Sequence, residues 1–146
     1  MNQRRRDGSF RKILVGYDGS DAAEKAVELA LSLAVNMDSM VVVLAVAQPP
    51  EPPAAMETQA VVDGAREYYE KTLRKIADAA KENGIQVTTA IAVGHAAEKI
   101  VRRAEQTHAD LIVVGRRGRS TFEKVIMGSV SERVLRYAPC PVLVTK

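Results

Sequence analysis

Uninterrupted apolar runs alternate along this chain with segments whose apolar residues recur at helical spacing, and this restricts the fold more than anything else in the sequence. Met40 to Val46 is wholly apolar. A strand apolar on both pleat faces must be covered on both, as in a parallel sheet between layers of helices. Lys12 to Tyr17, Ile85 to Val93, Asp110 to Val114 and Pro141 to Thr145 read as four further strands. Between the strands, Ala23, Ala26, Val27, Ala30, Leu31 and Ala34 share one helical face. So do Tyr69, Leu73, Ile76, Ala77 and Ala80, and then Ala97, Ile100, Val101 and Ala104. A fourth helix is expected from about Val130 to Tyr137. Each connection is long enough for a crossover. The expected fold is therefore α/β, a single doubly wound sheet of five parallel strands with four helices on both faces.

The punctuation agrees with this reading. Asp21 followed by Glu24 is a capping-box signal for the first helix. Asn83-Gly84 offers the long helix a left-handed stop. Residues 48–57 hold Pro49, Pro50, Pro52 and Pro53 and are expected to be irregular, as a lid or a surface loop.

Charge is unevenly spread. The chain carries a net +3, but residues 1–12 hold Arg4, Arg5, Arg6, Arg11 and Lys12 against Asp7, which is 5 − 1 = +4. The remainder sums to 3 − 4 = −1. Residues 1–11 are thus expected to form a flexible basic tail and residues 12–146 the domain, with the tail a solvated arm rather than a nucleic-acid contact. The one cysteine, Cys140, cannot form an internal disulfide or a metal site alone, and reads as a small packed residue. His95 and His108 lie thirteen residues apart with no spaced cysteines or carboxylates to complete a metal site. No apolar run approaches the ~18 residues of a membrane span, and no apolar leader follows the basic N-terminus. A cytoplasmic protein with no membrane partner is expected.

In an open parallel sheet, ligands bind beyond the carboxyl ends of the strands, where the winding direction reverses. Two strand ends carry unusual residues: Tyr17-Asp18-Gly19-Ser20, and Gly115-Arg116-Arg117-Gly118 with Gly128-Ser129 opening a helix beyond. Glycines let a backbone approach an anion closely. A helix start adds free amides and a favourable dipole for phosphate. Arg116, Arg117 and Arg119 add positive charge, while Glu123 and Lys124 read as solvated. The competing reading makes Ser129 a helix cap with Glu132 in a capping box, Gly115 and Gly118 turn residues, and Asp18 a cap or turn residue.

Gly115, Gly118 and Gly128-Ser129 form a G-x2-G-x9-G-[S/T] pattern, and here the chain resembles the ATP-binding universal stress proteins. The likeness extends to Ile13–Ser20, Val93-Gly94-His95, Ala109–Gly115 and Pro139–Val144, in order. It implies a strand order of 3-2-1-4-5, which sets Asp18 and Gly115 in one crevice. It also implies Gly115 against the ribose, with Gly118, Gly128, Ser129 and Val130 around the phosphates. Asp18 would touch the sugar, or a Mg²⁺ or Mn²⁺ ion held by the phosphates. The main chain at Val46 would read the adenine edge, and Gly16 would leave room for the base. The implied function is an ATP-binding regulatory or stress-response protein with little or slow hydrolysis. It would be a homodimer through the last strand, residues 141–145, with a further protein partner unnamed. No P-loop and no base to orient water is legible. The alternatives are an enzyme acting on ATP by phosphoryl or nucleotidyl transfer, and an interaction module with a vestigial site.

Overall fold

Alternation along each central strand divides the core into two layers. In the computed structural model, which describes residues 8–51, 55–116 and 127–146, β1 is Lys12–Tyr17, β2 Met40–Ala47, β3 Val87–Val93, β4 Leu111–Gly115 and β5 Val142–Thr145. The helices are α1 Asp21–Met37, α2 Ala55–Glu82, α3 Ala96–Thr107 and α4 Ser129–Tyr137. All strand pairs are parallel and the order is β3-β2-β1-β4-β5, as the resemblance implied. Ile13, Val15, Val41, Val43 and Val113 bury one face beneath α1 and α2. Leu14, Leu44, Ile112 and Val114 bury the other beneath α3 and α4. Complete burial of these side chains gives roughly 1.5–3 kcal/mol each relative to exposure. The runs are continuous because both pleat faces meet helices.

Helix ends account for the departures from the sequence reading. α1 is capped by Ser20, whose Oγ accepts the Ala23 amide at 3.1 Å. Asp21 is therefore the first helical residue, and the expected Asp21–Glu24 box does not form. Glu24 instead accepts the Tyr17 hydroxyl. α2 starts at Ala55, so residues 55–57 of the stretch expected to be irregular are helical. Its end is the predicted glycine stop. Gly84 has φ +72°, its amide donates to Lys81 O, and the Ile85 amide donates to Ala80 O. That turn consumes Ile85, and β3 begins two residues later than expected.

The buried Asp110 carboxylate accepts the amides of Arg11 and Lys12, both at 2.9 Å, which fixes the entry to β1. His108 ends α3 in the left-handed region at φ 54°. No helix among the described residues is long and apolar enough to cross a membrane. Of the expected N-terminal tail, residues 1–7 lie outside the described residues, as do Pro52, Pro53, Arg117, Gly118, Arg119, Glu123 and Lys124.

Candidate functional site: a crevice at the strand 1 and strand 4 ends

β1 and β4 are neighbours, but the chain leaves them toward opposite faces. α1 follows β1 over one face, and the β4 connection leads to α4 on the other. The carboxyl ends part and leave a crevice of about 480 Å³, within the usual range for small-molecule sites. Gly16, Asp18, Val46, Gly115, Gly128, Ser129 and Val130 all line it; Gly118 is outside the described residues.

At the β1 end, Asp18 Oδ1 accepts the Ser20 amide at 2.9 Å, a tight turn that leads into the helix cap. Asp18 is thus a turn residue and not the cap. It is the only carboxylate among the described lining residues. Tyr17 beside it is 3% exposed. Burial, and then its bond to Glu24, raise the phenol's pKa well above the ordinary range and keep it protonated.

The β4 end is held by its backbone. The Arg116 amide donates to Thr145 O at 2.7 Å, and the Arg116 carbonyl accepts the Gly128 amide, also at 2.7 Å. Gly128, not Ser129, caps α4, so the Ser129–Glu132 capping box is not formed. Its φ is −72°, open to any residue, so only space can require glycine there. The first bond inside α4 runs from the Glu132 amide to Gly128 O. The helix therefore supplies no acceptor for the amides of Ser129, Val130 and Ser131, whereas the Gly128 amide is already spent. The amides left without a helical acceptor are thus those that follow Gly128, not that of Gly128 itself.

The wall between these ends comes from β2. The Met40 amide donates to Arg11 O and the Gly94 amide to Ala47 O. Even-numbered β2 residues thus turn their backbone toward β1 and odd-numbered ones toward β3. β1 pairing ends at Tyr17 opposite Ala45, so the Val46 carbonyl points past the end of β1 into the crevice. Gly16 has a packing reason to lack a side chain. A Cβ there would lie 2.7 Å from Ile100 Cδ1 and 3.2 Å from Val114 Cγ1.

Several lining residues were not singled out as site residues from the sequence, among them three on α2 and one on α4. Val61, Ala65 and Tyr69 of α2 form an apolar wall, and Ser131 lies in the first turn of α4. The four-residue spacing of the α2 residues is visible in the chain, but the pattern does not say what lies opposite. Tyr69 packs edge-on against Tyr17 with centroids 6.4 Å apart.

The crevice thus combines apolar walls, a backbone acceptor, the Asp18 carboxylate and a helix start with open amides. The profile of the universal stress protein family matches residues 9–146. A universal stress protein of Methanocaldococcus jannaschii is 35% identical over 141 residues, spanning 94% of this chain and 82% of the relative. The universal stress protein UspA from Lactobacillus plantarum superposes with a TM-score of 0.88 at 25% identity, over 94% of this chain and 99% of that one. A universal stress protein solved in complex with cAMP gives a TM-score of 0.71 at 28% identity, over 94% and 97%. By sequence and by fold, this chain belongs to the universal stress protein family.

Proposed function

We propose that this crevice binds an adenine nucleotide, with ATP as its ligand, and that the protein is a regulatory or stress-response binder with little or slow hydrolysis. One observation carries the reading. The outward Val46 carbonyl, Asp18 and the open amides of Ser129 and Val130 line one crevice of about 480 Å³. An acceptor carbonyl suits the adenine amino group, and helix-start amides suit phosphate. The relative solved with cAMP supports an adenine nucleotide. Asp18 suits the sugar, or a Mg²⁺ or Mn²⁺ ion bound to the phosphates; its engagement by Ser20 counts against a general base. Edge strand β5 is proposed as the seam of a homodimer, and the cell interior as the site of action. Mass spectrometry of small molecules released from the denatured purified protein tests the ligand. Recovery of ATP or another adenine nucleotide is expected, with steady-state hydrolysis well below ~1 s⁻¹, the low end of ordinary enzymes.

A further inference from the structure

The Ser131 hydroxyl has an arrangement that helix formation does not require. Its residue is 3% exposed, in the first turn of α4. Its Oγ lies 2.9 Å from Arg116 O and 3.0 Å from Gly128 O. The second contact is local, three residues back. The first spans fifteen residues and meets the same carbonyl that accepts the Gly128 amide. A carbonyl oxygen has two lone pairs, so these two donors can satisfy it completely. Arg116 is held on its other side by the bond from its amide to Thr145 O.

We propose that Ser131 is a positioning residue for the crevice: its hydroxyl, with the Gly128 amide, latches the first turn of α4 onto the Arg116 carbonyl at the end of β4. The latch sets where the amides of Ser129, Val130 and Ser131 point. They must converge on one anion, and a helix start displaced by about 1 Å loses that convergence. The hydroxyl faces protein acceptors rather than the ligand. Its effect on binding therefore passes through the helix start and falls on phosphates, not on the base. The ligand side of this inference rests on the nucleotide reading; the latch itself does not.

The test compares wild type with Ser131→Ala by two measurements. The first is amide hydrogen exchange at Gly128 in the ligand-free protein. Loss of the shared acceptor geometry should speed exchange there by roughly tenfold, the effect of about one net hydrogen bond. The second is calorimetric titration with ATP and with adenosine. Affinity for ATP should fall about tenfold while that for adenosine changes less than twofold; general destabilisation would weaken both alike. Unchanged Gly128 exchange overturns the latch, and with a weakened ATP affinity it makes the hydroxyl a direct ligand instead. Equal losses for ATP and adenosine also overturn it. A wild type that binds neither compound refutes the nucleotide reading, and Gly128 exchange then still decides the latch.

Discussion

Gly115 and Ala22 meet where β4 passes beneath the start of α1. A Cβ on Gly115 would lie 2.7 Å from Ala22 Cβ and 2.9 Å from the Ala22 carbonyl carbon, and backbone there cannot yield cheaply. The first glycine of the motif thus has a packing duty apart from any ligand. Gly115→Ala should destabilise the fold by ~1–3 kcal/mol through overpacking. At roughly 2–4 °C per kcal/mol for a domain of this size, calorimetry without nucleotide should register the loss. An unchanged melting temperature would show that α1 shifts freely.

Gly128 contrasts with Gly115, since its backbone is ordinary. Gly128→Val should leave the protein folded while its side chain fills the space proposed for phosphate. At a hundredfold excess over Kd, ATP should stabilise the wild type by about 2.7 kcal/mol. The melting temperature would then rise by roughly 5–10 °C. Scanning fluorimetry should find no such rise in the variant. A persisting rise would move the phosphates elsewhere.

Asp18→Asn keeps an oxygen able to accept the Ser20 amide, so the turn should survive and only the charge is lost. ATP affinity should fall several-fold more with Mg²⁺ than with EDTA if the carboxylate helps hold a metal ion. Equal losses in paired titrations would confine Asp18 to the sugar.

Cys140 is half-buried beside the α3–α4 layer. Burial, and secondarily the Asp110 charge, push its thiol up to about 11. A group whose pKa is raised on folding contributes stability that is present below its unfolded pKa of ~8.5. That contribution is lost as pH rises through the folded value. Denaturant midpoints should therefore decline between about pH 9 and pH 11, and Cys140→Ser should flatten that decline. Native labelling by a disulfide reagent at pH 8 should be slow, and equal rates in native and unfolded protein would refute the shift.

β5 lies at the sheet edge. The Ile112 and Arg116 amides donate to Pro141 O and Thr145 O, so Leu143 and Thr145 face β4 while Val142 and Val144 turn their backbone outward. Val144→Pro removes an outward donor and spares the internal ladder. Light scattering at tens of micromolar should find a dimer for the wild type and monomers for the variant. A monomeric wild type would end the dimer proposal.

The sequence by itself determined the elements and their faces. The apolar run of β2, the period of Ala23 to Ala34 and the Gly84 stop all stand where the chain predicts them, because each reports local geometry and burial. Gly115 and Gly128 of the glycine motif stand at the crevice beyond β4. Tertiary structure decided what each buried face meets and which backbone donors are already spent. Val61, Ala65 and Tyr69 become a crevice wall only because α2 returns over the β1 end. Gly128 loses its amide to a residue twelve positions back, and Thr145 donates its hydroxyl to Ala22 O across 123 residues. Hydrophobic periodicity tells a side chain to leave water but does not name its neighbour. That choice belongs to strand order and helix docking, which bring distant segments together.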